Sequence, residues 1–147
     1  MVEEKNDSPD VVRTGGCRCG KVRYEVTGEP LSQVFCYCSE CQAQTGSDHW
    51  FGVWYARDNF RFTGEPAKII SRKGVSGKEV HGHFCPDCAV TVCGDVTIAG
   101  FLSVNGPSFD DTEFLSPRMA VYVRSAPKWA VLPTDIPLYD TFPGDKA

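Results

Sequence analysis

The 147-residue sequence lacks the features of several large protein classes. No apolar run approaches the roughly 20 residues that a transmembrane helix needs, so we expect no contact with a membrane. Residues 1–10 are acidic and polar with no apolar stretch, which predicts no secretory signal. There is no Gly-rich phosphate loop and no Ser/His/Asp pattern. A formal charge of -4 argues against a dedicated nucleic-acid binder.

Sustained helical periodicity is also missing, and most of the chain shows strand patterns instead. Val22, Tyr24 and Val26 alternate with polar residues, as in a half-buried strand. Further strands are predicted at 31–35, 49–55, 60–63, 67–71, 78–84, 90–93, 96–102 and 119–124. A single helical turn is predicted at 41–47, ended by Gly46. We therefore predict a mainly β, single domain over residues 14–147, preceded by a flexible tail over residues 1–13.

Cysteine is unusually frequent, with eight residues in the chain. Seven of them cluster: Cys17 and Cys19, then Cys36, Cys38 and Cys41, then Cys85 and Cys88. Spacings of two or three residues are common in metal sites and rare in disulfide frameworks. Since nothing indicates secretion, we expect reduced thiols and a cytoplasmic protein. The eighth, Cys93, has no close partner and is predicted to be a small buried hydrophobic residue.

The two outer pairs predict a four-thiolate structural zinc on Cys17, Cys19, Cys85 and Cys88. Disulfides or scattered buried thiols are the alternative. The central triple supplies three ligands, as in catalytic zinc sites that keep an open position. A second structural zinc is the competing interpretation, with a fourth ligand from Cys93, His49, His81 or His83.

Three further groups of residues bear on function. His49 follows the triple closely enough to serve as a general acid or base, although a partly buried histidine with no role fits equally. Six cations between residues 57 and 78 can attract an anionic ligand. They are Arg57, Arg61, Lys68, Arg72, Lys73 and Lys78. The aromatic residues Trp50, Phe51, Trp54 and Trp129 are predicted to lie in the core.

Three stretches together resemble the glutathione-dependent formaldehyde-activating enzyme family, whose domain also occurs in centromere protein V. They are GCRCGKVRY at 16–24, CYCSEC at 36–41 with QTGS at 44–47, and FCPDC at 84–88. Weaker similarity lies at 99–100, Pro117 and Trp129, so the resemblance covers about residues 14–142. It implies a β-tent of twisted antiparallel sheets stapled by zinc. It also implies a structural zinc on the two pairs and a second zinc on the triple.

The family's implied activity is carbon–sulfur lyase chemistry, in which glutathione and formaldehyde combine to S-hydroxymethylglutathione. Two residues depart from the family pattern. Tyr37 stands where the family usually has His, between the first two central cysteines. Ala89 stands where it usually has Gly, and Ala would fit only if φ is negative there.

We therefore predict a zinc-dependent carbon–sulfur lyase acting on the glutathione adduct of formaldehyde or another small carbonyl compound. The predicted catalytic residues are Cys36, Cys38, Cys41 and His49, and the predicted substrate contacts are Tyr37, Gln44 and Thr45. The second zinc is expected to be the less firmly held, and a homodimer is one option for assembly. The alternatives are a non-catalytic zinc-stabilised binding module and a redox protein whose central thiols form reversible disulfides.

Overall fold

A computed structural model of the chain describes residues 11–96 and 99–143. Within them the chain forms ten β-strands, one α-helix and three short 3₁₀ turns. The strands and the helix are β1 (Val12–Gly16), β2 (Arg23–Thr27), β3 (Ser32–Cys36), α1 (Ser39–Thr45), β4 (Trp50–Ala56), β5 (Phe60–Phe62), β6 (Lys68–Lys73), β7 (Glu79–Phe84), β8 (Thr91–Val96), β9 (Phe101–Asn105) and β10 (Met119–Val121).

The strands form two sheets. The smaller has the order β1-β2-β5, and the larger has the order β10-β3-β4-β9-β8-β7-β6. All these pairings are antiparallel except that of β10 with β3. The structure thus confirms the predicted mainly β, single-domain class.

The core lies between the two sheets. Val22, Tyr24 and Val26 are fully buried, which confirms the alternation predicted around β2. They belong to one cluster with Val53, Tyr55, Val92, Cys93 and Val104 from the larger sheet. One face of the larger sheet is therefore committed to the core.

The opposite face of the larger sheet carries the residues that alternate with the core positions. Trp54 on β4 pairs with Ser103 on β9, and Ser103 pairs with Gly94 on β8. Gly94 in turn pairs with Gly82 on β7. This row crosses four strands and forms part of the wall of a cavity.

Helix α1 begins directly after Cys38, which is its N-cap residue. The Cys38 Sγ accepts the backbone N–H of Cys41 at 3.4 Å. The helix ends at Gly46, whose φ of 71° lies in the left-handed region that glycine adopts at little cost. The predicted helical turn and its end are confirmed, but the helix starts two residues earlier than 41.

Several strand boundaries were predicted wrongly. The strand predicted at 119–124 ends at Val121, and Val123–Ser125 form a 3₁₀ turn. Residues 12–16 were assigned to the tail and a loop, whereas they form β1 and pair with β2 over its whole length. Of the tail predicted over residues 1–13, residues 1–10 lie outside the described residues. A strand at 96–102 was also wrong, because β8 continues to Val96 and β9 begins at Phe101. The pairing partners of Gly94 and Asp95 outweigh the low strand propensity of these two residues.

Candidate metal centres and the adjoining cavity

The first centre, the four-cysteine cluster, joins the two sheets. Cys17 and Cys19 follow β1 of the smaller sheet, whereas Cys85 and Cys88 follow β7 of the larger one. The four Sγ atoms all lie within 4.8 Å of one another. The Cys19 Sγ is 3.6 Å from the Sγ atoms of both Cys17 and Cys85. Four sulfurs bound tetrahedrally to zinc lie about 3.8 Å apart, so the four predicted ligands lie close enough together to hold zinc.

Backbone groups in these loops favour the thiolate forms. Backbone N–H groups donate to the sulfurs of the cluster, among them Val22 to Cys17 at 3.3 Å, and Asp87 and Cys88 to Cys85 at 3.3 and 3.4 Å. Backbone hydrogen bonds, the strongest from Val90, lower the pKa of the Cys88 thiol to about 6. A thiolate at neutral pH is the form that binds zinc.

Ala89 lies in the left-handed backbone region within the second loop of this cluster. Its φ is 66°, so the condition under which alanine would fit without strain, a negative φ, is not met. Its N–H donates to the carbonyl of Cys85 at 2.9 Å, which closes the tight turn between the two ligands. A non-glycine residue in this region costs about 1–2 kcal/mol, and the chain accepts that cost within a loop fixed at both ends.

The second centre, the three-cysteine cluster, is built from six consecutive residues. Cys36 is the last residue of β3, Cys38 caps α1, and Cys41 lies in its first turn. Their Sγ atoms lie within 4.8 Å of one another. Among residues 11–96 and 99–143, no ligand atom of a fourth His, Cys, Asp or Glu joins them. Cys93, one candidate for that place, is fully buried in the core as predicted for a lone cysteine.

The three thiols interact strongly with one another. Hydrogen bonds, first from Cys36 and then from Cys41, lower the pKa of Cys38 to about 2. The hydrogen bond with Cys38 is the main cause that raises the pKa of Cys36 to about 12. The side-chain contact with Cys36 is the first cause that raises the pKa of Cys41. Negative charge therefore concentrates on one sulfur, and a cation is needed for all three to be thiolates together.

All three cysteines line one cavity of about 360 Å³. Within the described part of the chain, the four-cysteine cluster contributes no residue to this lining. The wall is mostly apolar and comes from the free face of the larger sheet, as the row Trp54–Ser103–Gly94–Gly82 indicates. The apolar wall residues include Trp50, Trp54, Val80, Val96, Phe101 and Val121. The side of the three-cysteine cluster without a protein ligand among the described residues therefore faces this cavity.

The charged and amide groups at the cavity come from β6, α1 and the β6–β7 hairpin. The Arg72 guanidinium donates to Gln44 Oε1 at 3.4 Å and lies 3.5 Å from a carboxylate oxygen of Glu40. Lys78 also lines the cavity. Among the six cations of the basic segment, Arg72 and Lys78 are the two that do so. Arg57 and Arg61 instead pair with Asp95 and Glu25.

The model of the glutathione-dependent formaldehyde-activating enzyme family matches residues 12–125, well over half of the chain. The match contains both cysteine clusters. The chain belongs to this family.

Among solved structures, the fold is similar to that of a Rhodobacter sphaeroides protein determined by crystallography as a Northeast Structural Genomics target. The TM-score is 0.54 at 16% identity, and the match covers 85% of this chain and 98% of the other. That likeness shows the fold alone. No curated protein matches the chain significantly.

Tyr37 lies between Cys36 and Cys38 but is not among the residues that line their cavity. It is 1% exposed, and its ring lies 5.3 Å from that of His49. Burial is the main cause that raises its pKa. The His49 ring also packs on Phe35 at 4.3 Å, and its Nδ1 lies 2.7 Å from a carboxylate oxygen of Asp48. Tyr37 and His49 therefore support the cysteine loop from behind.

Gln44 contributes to the lining of two cavities, whereas Thr45 contributes to one of them. Gln44 lines the cavity of the three-cysteine cluster, and its contact with Arg72 fixes its carbonyl oxygen. Thr45 donates to the carbonyl of Cys41 at 2.8 Å and lines a second, more polar cavity of about 430 Å³. His49 lines that second cavity as well. Of the predicted substrate contacts, Gln44 is the one in direct reach of the space beside the thiols.

The aromatic residues were predicted as core, and the structure corrects this for three of them. Trp50 and Trp54 line the cavity, and Trp129 is 68% exposed. Phe51 does pack against the core. The cavity wall at 80–82 and 94–96 was not predicted, because the pairing of Gly82 with Gly94 depends on the register of β7 and β8.

The remaining thiol and histidine predictions have simple outcomes. All eight cysteines are free thiols, so disulfide pairing is not the state of this structure. His81 contacts Ser71 and Glu79, while His83 packs on Phe62. Neither joins a metal cluster among the described residues. No helix in the described part of the chain has the length and apolar character to cross a bilayer.

Proposed function

We propose that this protein is a zinc-dependent carbon–sulfur lyase acting on the adduct of a thiol, glutathione, with a carbonyl compound. One observation carries the proposal: three converging thiols have no fourth protein ligand among the described residues and open onto a mostly apolar cavity. A structural site would use four protein ligands. Membership of the family supports glutathione as the thiol.

The reaction balances without an oxidant or a reductant. In the forward direction the thiol sulfur adds to the carbonyl carbon, and a carbon–sulfur bond forms. The π pair of the carbonyl moves to its oxygen, which takes up the proton that the thiol gives up. In the lyase direction the same bond breaks, the hydroxyl loses its proton, and thiol and carbonyl compound are released.

The residues around the cavity divide this work. Cys36, Cys38 and Cys41 would hold the metal, which when bound supplies a position for a sulfur or carbonyl oxygen and favours the thiolate. The Gln44 carbonyl oxygen accepts from Arg72, so its amide NH₂ is the group that donates to the substrate oxygen. We assign His49, Tyr37 and Thr45 to positioning the loop, since their contacts lie on its other side.

Zinc content and turnover together test the proposal against its alternatives. Protein loaded with zinc is treated with a mild chelator, and zinc per chain is measured alongside equilibration of glutathione–aldehyde adducts by NMR exchange. We expect two zincs, one removed readily, with catalysed exchange that disappears with that zinc. If both zinc ions resist the chelator equally and no adduct exchange is catalysed, the protein is instead the non-catalytic binding module. A single zinc with reversible disulfides among Cys36, Cys38 and Cys41 would establish the redox protein.

A further inference from the structure

We propose that the carbonyl partner of the reaction is not formaldehyde but an aldehyde with an extended apolar group, such as an aryl ring or an alkyl chain of about eight carbons. This inference rests on the proposed lyase function and specifies its substrate class. The first support is size. A cavity of about 360 Å³ is large for a one-carbon group. A cavity of about 150 Å³ already accommodates benzene.

The second support is the chemistry of the wall. Trp54 stacks on Phe101 with ring centroids 4.2 Å apart, and both rings line the cavity. The indole N–H of Trp50 donates to Ser103 Oγ at 2.9 Å, so the polar edge of this ring is satisfied within the wall. What remains towards the interior is carbon surface, which favours apolar groups and gains little from a hydroxymethyl group.

The third support is charge. Glutathione carries two carboxylates and one ammonium group at neutral pH, whereas the cationic side chains of the cavity are Arg72 and Lys78. Arg72 is already 3.5 Å from the carboxylate of Glu40. Burying unpaired carboxylates in an apolar space is costly. The tripeptide therefore lies towards the entrance, and the group carried by the aldehyde carbon occupies the interior.

The fourth support is a hollow built by a pair of glycines. Gly82 and Gly94 are directly opposite each other on β7 and β8, and the neighbouring pair on the same face is Val80 and Val96. All four line the cavity. A Cβ at Gly82 would meet Ile70 at 3.5 Å, and one at Gly94 would meet Val80 at 3.9 Å, which are ordinary contacts. The fold thus has room for side chains at both positions, and their absence leaves space.

Binding of two stable thioethers tests the inference directly. S-methylglutathione and S-octylglutathione share the tripeptide and differ by seven methylene groups. Isothermal titration calorimetry of the zinc-loaded protein gives both affinities, and quenching of tryptophan fluorescence reports the approach to Trp50 and Trp54. We expect the octyl compound to bind about 100-fold more tightly, since each buried methylene contributes favourably and ordering of the chain offsets part of the gain. Equal affinities would overturn the inference.

Substitutions that fill the hollow at Gly82 and Gly94 test whether the octyl group of the bound compound lies there. Gly94→Leu and Gly82→Leu should each weaken binding of the octyl compound at least 10-fold and leave that of the methyl compound unchanged. Gly100→Leu is the matched control, because a Cβ there meets nothing within 4 Å and the residue is outside the lining. Zinc content and the melting temperature verify that each variant folds. Tight binding of the octyl compound that neither Gly94→Leu nor Gly82→Leu weakens would also overturn the inference. If a variant fails to fold, the ratio of the two affinities in the wild type still decides the test.

Turnover separates this inference from the function on which it rests. The zinc-loaded protein is given glutathione with octanal or with formaldehyde, and exchange is followed by NMR. A higher kcat/KM for octanal supports both statements. A kcat/KM for formaldehyde that equals or exceeds it would overturn the substrate class and leave the lyase standing. Cavity-dependent octyl binding without turnover of either adduct would overturn the lyase and leave an apolar-ligand site.

Discussion

The two cysteine clusters offer the same ligand atoms but differ in sequence separation and in surroundings. The four-cysteine cluster gathers pairs separated by 66 residues, whereas the three-cysteine cluster comes from six consecutive residues. The first ties one sheet to the other. The second leaves the topology unchanged and presents its sulfurs to a cavity. This difference in sequence separation is why we propose a stabilising role for the first cluster and a reactive role for the second.

The two clusters should contribute differently to stability, because they close loops of different length. Joining distant loops restricts the unfolded chain strongly, whereas a bridge within six residues restricts it little. An ion pair between Lys21 and Asp87 links the same two loops as the four-cysteine cluster. Structural zinc binds with an apparent free energy of about 10–16 kcal/mol, and small domains are stable by about 5–15 kcal/mol. Stability should thus depend on the first cluster far more than on the second.

The largest expected effect is that of Cys88→Ala. Loss of one ligand opens the four-cysteine cluster and separates the loops, so we expect an unfolded domain at room temperature. Circular dichroism and zinc content give the readout. Cys93→Ala is the matched control, since it removes a buried thiol outside both clusters and should cost about 1–2 kcal/mol. If Cys88→Ala melts as the wild type does, the division of the cysteines is wrong.

Cys38→Ser should abolish function and spare the fold. The serine hydroxyl can still cap α1 by accepting the N–H that the Cys38 sulfur accepts now. It is a poor zinc ligand beside two thiolates. We expect one zinc per chain, no catalysed adduct exchange, and a melting temperature within a few degrees of the wild type. Unfolding of this variant would show that the three-cysteine cluster is structural as well.

Ala89→Gly should stabilise the protein. It relieves a φ of 66°, and the added freedom of glycine in the unfolded chain offsets part of the gain, which leaves about 0.5–1 kcal/mol. Chemical denaturation measures the change. Ala126→Gly is the control, because Ala126 has a φ of -61° and should lose stability or stay unchanged. A loss of stability in Ala89→Gly would mean that the loop of the four-cysteine cluster carries no strain.

The smallest effect concerns an ion pair beside the four-cysteine cluster. The Arg23 guanidinium, and then the Thr14 hydroxyl, lower the pKa of Asp110 from its ordinary value of 3.8. Because the pKa is lower in the folded state, the stabilisation is complete above pH 3.8 and is lost as the pH falls through the folded value. Both side chains are partly exposed, so Asp110→Asn should cost less than about 1 kcal/mol at pH 7.

Denaturation of the wild type and Asp110→Asn between pH 7 and pH 2 checks the sign. The difference in stability should shrink as the solution becomes acidic, while zinc per chain at neutral pH stays equal. A difference that grows in acid would contradict the assigned direction. Loss of zinc in this variant at neutral pH would show that the cluster depends on its polar neighbours and not on its four ligands alone.

The ligand sets and the fold class could be predicted from the sequence because they depend on local patterns. The spacing of Cys36, Cys38 and Cys41 brings their sulfurs together whatever surrounds them. Alternation at Val22, Tyr24 and Val26 marks a half-buried strand before any partner is known. Even the end of α1 at Gly46 follows from one residue's backbone preference.

The tertiary structure alone decided which side of each strand faces the core and which side faces the cavity. Trp50 and Trp54 are apolar and read as core, yet the register of β3, β4, β8 and β9 places them around the open side of the three thiols. Gly82 and Gly94 are directly opposite each other only because of the register in which β7 and β8 pair. Pairing between distant strands is a non-local choice, made by the free energy of the whole core. Because of this pairing, the three-cysteine motif that is visible in the sequence faces an apolar cavity.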